Sequence, residues 1–472
     1  MEIPLVGGSA EGRSTNASSA TCINWFVEKT EEGESLVPTP GATEFSNPTS
    51  GEVRGCIAYN DLAYFVIGNS LYEIDSQGDS TFRGNLNSFS GRVAMAHNGT
   101  RQDQNQQIMI VDGTNGYIYN NDTQTLVEIT DEDFKPSNSV VFLDGYFIFN
   151  HKDTDRFAFT GLYDGENILF SDIESVDAFP DNLLNVIADR RELFLFCEQT
   201  VEIWYNSGNL DNTFQRFQGG MTEMGCVAAY SPAQFDNSIV WLARNKRGDG
   251  MVCILADNYR PEVISTQEIN YQIAQYSRID DAFGYAYQDE GHEFYVLTFP
   301  TAKVTWCFDA ATRKWHQRAH VIDDNFPNRE RYNCHTFAMG KHLLGDFING
   351  KIYEMSSTEG EFMGERIPRE RTTISITDEE NRTRISSFQL DMQEGIGDPN
   401  GVNDADMWLS YSKDGGHTFS DEVVRSAGKT GKYATRLMWR KLGKARNWIF
   451  RIRTWSPNKP LLKGAFARFY GE

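Results

Sequence analysis

The stretch IMIVDGTNGYIYN, residues 108–120, decides the fold. Four apolar residues run into Asp112-Gly113-Thr114-Asn115-Gly116, and a second apolar run, Tyr117-Ile118-Tyr119, follows at once. Short apolar runs broken by Gly, Asn and Asp read as paired strands around a tight turn, because those residues supply the backbone angles that a reversal needs. The phrase returns as YFVIGNSLYEID (64–75), LFLFCEQTVEIWYN (193–206), VCILADNYRPEVIS (252–265), FYVLTFPTAKVTWCFD (294–309) and LLGDFINGKIYEMS (343–356). Single strands lie between these hairpins, among them GCIAY (55–59), RVAMAH (92–97), SVVFLDGYFIFN (139–150) and CHTFAMG (334–340). Ile118 follows Leu71 by 47 residues, and Ile352 follows Trp306 by 46. A repeat of that length with about four strands per unit predicts a β-propeller over residues 51–356, with six to eight blades and seven the best fit. No helical run of twelve residues competes; Asp172–Val186, interrupted by Pro180, is expected to connect two blades.

Past Met355 the repeat stops. Residues 361–395 read as two long strands, and MWLSYSKDGGHTFS (407–420), RLMWRKLGKARNWIFRIRTWS (436–456) and KGAFARFYGE (463–472) supply at least four more. Residues 357–472 are therefore predicted to form a β-sandwich-like domain packed on the propeller, making the whole chain all-β. Residues 1–50 are rich in Gly, Ser, Thr and Pro around one apolar patch, Ile23-Asn24-Trp25-Phe26-Val27, and are predicted to be an N-terminal arm ordered by contact either with the last blade or with a neighbour.

The 472 residues are 40% hydrophobic and 13% aromatic, too rich in large side chains for intrinsic disorder. No apolar run approaches membrane-spanning length, and the N-terminus has neither the basic nor the apolar region of a secretion signal. The seven cysteines show no C-x-x-C spacing and are expected to be reduced and buried, so neither disulfides nor a cysteine-based zinc site is expected. Net charge is -22, from 44 basic and 66 acidic residues. The sign excludes a generally basic coat for nucleic acid. From Arg425 onward, however, thirteen basic residues face one acidic residue, which leaves the rest of the chain at 31 minus 65, or -34.

That basic segment interleaves Arg440, Lys441, Lys444, Arg446, Arg451 and Arg453 with aromatic residues such as Trp455, the mixture found in desolvated protein interfaces. Contact with a subunit or partner protein, a solvated strand face, and contact with DNA all fit it. Ser412-x-Asp414-x-Gly416-x-Thr418-Phe419 has the form of an Asp-box, in which the polar side chains hold a hairpin loop together. Sialidases carry such boxes, yet only one clear copy occurs here, outside the propeller, so Ser412, Asp414 and Gly416 are assigned a structural role. The eight histidines lack metal-ligand spacing, and no P-loop, G-x-S-x-G or dinucleotide fingerprint is present. No catalytic residue, cofactor or metal is predicted, and the chain reads as a non-enzyme.

Gly91-Arg92-Val93-Ala94-Met95-Ala96-His97, Trp439-Arg440-Lys441-Leu442-Gly443-Lys444-Ala445-Arg446, and Arg451-Ile452-Arg453-Thr454-Trp455-Ser456-Pro457 running to Phe466-Ala467-Arg468-Phe469 carry a resemblance. With these stretches in this order the chain resembles the tail accessory factors of P22-like short-tailed phages, the packaged-DNA stabilisation or tail hub family. The resemblance implies a structural homohexamer in the virion tail, assembled in the host cytoplasm below a portal-bound adaptor ring. Such a ring closes the DNA channel after packaging, lets the genome pass at ejection without sequence-specific binding, and anchors tailspike, fibre or needle proteins. The alternative is a glycan-binding or sialidase-like propeller protein of the virion, which exposed Trp204, Trp241 or Trp315 on the propeller would favour.

Overall fold

The computed structural model describes residues 1–470 apart from 15–17, 32, 100–104, 177–180, 210–211, 245–246, 249, 257, 378–380 and 397–404. Among the described residues, seven antiparallel sheets follow one another along the chain as propeller blades. Blade 1 is Val53–Tyr59, Leu62–Ile67, Ser70–Ile74 and Ser80–Asn85. Blade 2 is Ala94–His97, Gln107–Val111, Gly116–Asn120 and Thr125–Glu128; blade 3 is Val140–Leu143, Tyr146–Asn150, Arg156–Gly161 and Asp164–Ser175. Blade 4 is Leu183–Asp189, Glu192–Cys197, Val201–Asn209 and Asn212–Thr222. Blade 5 is Ser238–Arg244, Gly250–Leu255 and Pro261–Val263 behind two short inner strands, Gly225–Cys226 and Ala233–Phe235. Blade 6 is Phe283–Asp289, His292–Phe299, Val304–Asp309 and Lys314–Arg318. Blade 7 takes three strands from Tyr332–Ala338, Lys341–Asp346 and Ile352–Ser356, and its outer strand, Gly41–Ser46, from the other end of the chain.

Alternate faces of each blade bury against the two neighbouring blades, which is why the second strands read as unbroken apolar runs. Ile108 and Ile110 pack toward blade 1, while Met109 and Val111 pack toward blade 3. The run 139–150, read as one strand, is a hairpin: Asp144 and Gly145 both have positive φ and turn the chain between Leu143 and Tyr146. The irregular repeat in the middle of the sequence has a cause in an inserted helix, Gln267–Ala274, capped by Thr266 and lying between blades 5 and 6. The connection expected at Asp172–Val186 falls partly outside the described residues; its first part belongs to the fourth strand of blade 3 and its last part to the first strand of blade 4.

The sandwich consists of two sheets. The first runs Leu437–Ala445, Thr383–Met392, Leu462–Tyr470, Gly33–Pro38, Trp25–Thr30, with Glu2–Ile3 on the Leu462–Tyr470 strand. The second runs Cys22–Ile23, Arg369–Thr372, Asn447–Thr454, Asp406–Ser412, Val423–Ser426, with Ile376–Thr377 beside Asn447–Thr454. Among the described residues of 361–395 only Thr383–Met392 is long, where two long strands were expected. Between the sheets lie Phe388, Trp439, Trp448, Phe450 and Ile452, joined by Ile3, Leu5, Trp25, Val27 and Leu36 from the first forty residues.

Residues 1–50 thus divide among three places. Trp25 and Val27 enter the sandwich core, while Phe26, on the opposite face of the same strand, packs edge-on against Phe294 of blade 6 at 5.2 Å. Both faces being covered explains the unbroken apolar patch. Ile23 pairs in parallel with Gln317 of blade 6 and antiparallel with Glu370, so one ladder of hydrogen bonds runs from propeller to sandwich.

Candidate interaction surface

The basic C-terminal segment occupies two different surfaces. On the strand Asn447–Thr454, Trp448, Phe450 and Ile452 face the core, so Arg451 and Arg453 face away from it. Arg453 donates to Glu370 at 2.6 Å and to Glu422 at 3.1 Å, and Arg451 lies 4.0 Å above the Phe419 ring and donates to Ser410. Trp455 meets Trp408 edge-on at 5.0 Å. The structure therefore engages these three within the domain.

Arg440, Lys441, Lys444 and Arg446 lie elsewhere, on the first sheet and at the turn after it, and all four are exposed. Register sets Arg440 opposite Ser387 and Lys444 opposite Arg384; on the other side of the same central strand, Arg468 stands opposite Ser387. Lys441 has positive φ at the bulge between these pairs. The segment read as one patch is thus joined by Arg384, whose part became visible only through strand pairing.

The Asp414 loop is a closed set of local hydrogen bonds. The Ser412 hydroxyl donates to Asp414 and accepts from the Gly416 amide at 2.9 Å, and Asp414 accepts from both the amide and the hydroxyl of Thr418. The Thr418 hydroxyl, with the Thr418 amide and Ser412, holds the Asp414 carboxyl well below the usual carboxylate range. The left-handed φ of 98° at Gly416 suits glycine.

Two arginines lie in the seam between propeller, arm and sandwich. Arg371 donates to the carbonyls of Leu5, Gly8 and Thr21, and Arg369 donates to those of Gly360, Ile367 and Ser456. Burial pulls the Arg369 guanidinium down to about 10, and the neighbouring Cys22 thiol is pushed up to about 11.

At one end of the propeller axis three further arginines converge, the feature a sialidase would need. Each is already held. All the N–H groups of Arg54 donate, to the carbonyls of Gly68, Ser88, Ser90 and Gly91 and to the Ser88 hydroxyl. Arg92 reaches the Asn333 carbonyl of blade 7 and stacks 3.8 Å from the Phe283 centroid; Arg329 donates to Asn333 and lies over Phe347. Trp204, Trp241 and Trp315 are buried in the blades, so none offers the exposed ring that glycan binding requires. Among the described residues no cluster of His, Cys, Asp and Glu could hold a metal ion, and no helix is long and apolar enough to cross a membrane.

Residues 1–360 match the family model described as "Bacteriophage P22 Gp10, beta-propeller", and residues 368–469 match "Bacteriophage P22 Gp10, beta-sandwich". No curated protein matches the chain. Solved structures resemble it weakly. The N-terminal domain of Nup159 is 9% identical with a TM-score of 0.42, covering 71% of this chain and 98% of its own. The Pan2 WD40 domain of Neurospora crassa is 7% identical with a TM-score of 0.40, covering 66% and 95%. The two family models together span both domains of the fold, and the chain accordingly belongs to the P22 Gp10 family of structural phage tail proteins, which places it in the virion tail.

Proposed function

We propose that six copies form a ring beneath a portal-bound adaptor, close the DNA channel after packaging, and carry the spikes, fibres or needle of the tail. The observation that carries this reading is the combination of a family match over both domains with a rigid junction between them. A channel under pressure needs a wall that does not hinge, and here a ladder through Ile23 joins blade 6 to the sandwich, while six carbonyl bonds from Arg369 and Arg371 fix the N-terminal arm and the segment after blade 7 to the sandwich. The acidic body suits a conduit, since like charge keeps DNA from adhering to it. Exposed Arg440, Lys441, Lys444 and Arg446 are assigned to contacts between proteins.

The test is the mass of the purified chain with and without the portal-adaptor complex. A single chain that becomes a ring of six on that complex is the expected result. A chain that neither binds the complex nor multimerises on it contradicts the proposal.

A further inference from the structure

All seven cysteines are free. Cys22 and Cys226 turn their thiols toward oxygen, donating to the Trp25 and Ala228 carbonyls at 3.1 Å each. Cys56 and Cys334 turn theirs toward each other. Cys56 lies on the innermost strand of blade 1, Val53–Tyr59, and Cys334 on that of blade 7, Tyr332–Ala338. Residues directly opposite one another in a ladder share a face, and faces alternate along a strand. Cys56 stands opposite Phe65, and Cys334 lies two alternations before Ala338; all four belong to the one core that blades 1 and 7 build between them. Both side chains therefore enter the seam between the first blade and the last.

The contacts around them bring the two to one level. The Asn333 side chain donates to the Val53 carbonyl at 3.1 Å and to Glu52 at 2.7 Å. Arg92 donates to the Asn333 carbonyl at 2.6 Å, and its guanidinium acts on both sulfurs. Gly345 is directly opposite Cys334, and a Cβ there would stand 2.9 Å from the Cys334 sulfur and 2.3 Å from Val53 Cγ1. Glycine thus leaves the room that lets the Cys334 sulfur reach blade 1. Across the seam the two thiols share a hydrogen bond.

This seam is where the chain completes its circuit of the propeller. On the outer side Gly41–Ser46 closes it by pairing with Ile352–Ser356. On the inner side hydrogen bonds and packing hold it. Residues 56–334 run from the inner strand of blade 1 to the inner strand of blade 7, so a bond between Cys56 and Cys334 makes the whole propeller a covalent circle.

Burial pushes the Cys56 thiol well above its ordinary value; Cys334 adds to the rise and Arg92 opposes it. Thiols held protonated react slowly, and a reducing compartment keeps them reduced. Cys334 is buried and Cys56 only partly so, which leaves Cys56 as the point of entry for a small oxidant. A protein of the virion tail leaves the reducing compartment with the particle and then meets oxidising surroundings.

We propose that Cys56 and Cys334 form a latent disulfide, two thiols while the chain folds and one bond after peroxide has reached them outside the cell. The Cys56 sulfur, as its thiolate, attacks a peroxide oxygen; the O–O bond breaks, and Cys56 becomes a sulfenic acid as the first water leaves. The Cys334 sulfur then attacks the Cys56 sulfur, the S–O bond breaks, and the second water leaves. Two thiols lose two protons and two electrons in total, and one hydrogen peroxide becomes two waters. The inference rests on residence in the tail and is independent of how many copies form it.

The purified full-length chain would be kept in dithiothreitol, exchanged into buffer, and treated with hydrogen peroxide while folded. Free thiols would then be alkylated before digestion with trypsin. The expected product has lost two hydrogen atoms per chain and yields peptide 55–83 joined to peptide 332–341. Unfolding in denaturant should become at least about tenfold slower and return to its first rate with dithiothreitol. Cys56→Ala and Cys334→Ala, each compared with itself before and after peroxide, should show no such slowing. Released virions alkylated before any reduction should contain the same joined peptides. Cys56 and Cys334 that stay free in the peroxide-treated chain, oxidise without joining, or join to other cysteines overturn the proposal. So does a bond that leaves the unfolding rate unchanged, and so do released virions in which both cysteines are alkylated.

Discussion

Arg371 shows how much a single side chain holds in this protein. It sits on the first long-range strand of the sandwich, buried, and its donors end on the carbonyls of Leu5, Gly8 and Thr21. Arg371→Met keeps the bulk and removes the donors, leaving the buried Leu5 carbonyl and the half-buried carbonyls of Gly8 and Thr21 without that partner. The expected loss is about 3 kcal/mol or more, read as a lower denaturation midpoint at unchanged slope; an unaltered midpoint contradicts the role. Nothing near Arg371 in sequence announces this, because its acceptors lie some 350 residues away and are backbone atoms, which leave no trace in composition. The Asp414 loop is the opposite case: all its partners fall between Ser412 and Thr418, so residue type and spacing were enough to read it. Asp414→Ala should lower the melting temperature and shorten amide-exchange protection at Gly416 and Thr418, whereas the hydrogen-bonded, ionised carboxylate of the wild type should persist into acid.

At the scale of elements, the hairpins were legible because their turns are local, and the closure of the propeller was not. Gly41–Ser46 pairs with Ile352–Ser356 across some three hundred residues, and its sequence, GATEFS, lacks the apolar run of an inner strand because it is the fourth strand out from the axis, with the short strand Glu361–Phe362 beyond it. The turn inside 139–150 was available in the Asp144-Gly145 pair, but the apolar residues on both sides made one strand the simpler reading. Gly41 is where the closing strand touches the segment leading to the sandwich: a Cβ there would stand 2.2 Å from the Glu361 carbonyl oxygen. Gly41→Val should therefore cost roughly 1–3 kcal/mol and raise proteolysis of the strands of blade 7 before those of blade 3. Uniform digestion of all blades would show that closure does not depend on this contact.

For the whole molecule, the interface between blades 6 and 7 makes stability depend on pH. Burial holds His320 and His335 down to about 3, and His316 is also held well below its ordinary value. Cations reinforce the shift: Arg331 and Arg318 face His320, His342 and Arg318 face His335, and Arg318 and His292 face His316. A histidine with a depressed folded pKa binds its proton more readily unfolded, so its contribution is intact above about 6.5 and is lost progressively as pH falls toward about 3. His292, raised by Asp309, works the other way and only partly offsets the three. The melting temperature should fall between pH 7 and pH 4, less so in His335→Gln; a flat profile contradicts this account. Charge was legible at this scale as a total and as an imbalance between the ends of the chain, but its division into a paired surface around Arg453 and an outward face around Arg440 required strand register. The placement of Trp25 and Val27 inside the sandwich also has a temporal side. Their strand leaves the ribosome early, and Leu462–Tyr470, which pairs with the adjoining strand Gly33–Pro38 and shares their core, is made about 440 residues later, roughly 20–90 s at ordinary synthesis rates. During that interval Trp25 and Val27 have no sandwich core to enter, so nascent chains stalled before residue 447 should be held by chaperones or aggregate, and polysomes slowed in that window should lose yield of soluble protein.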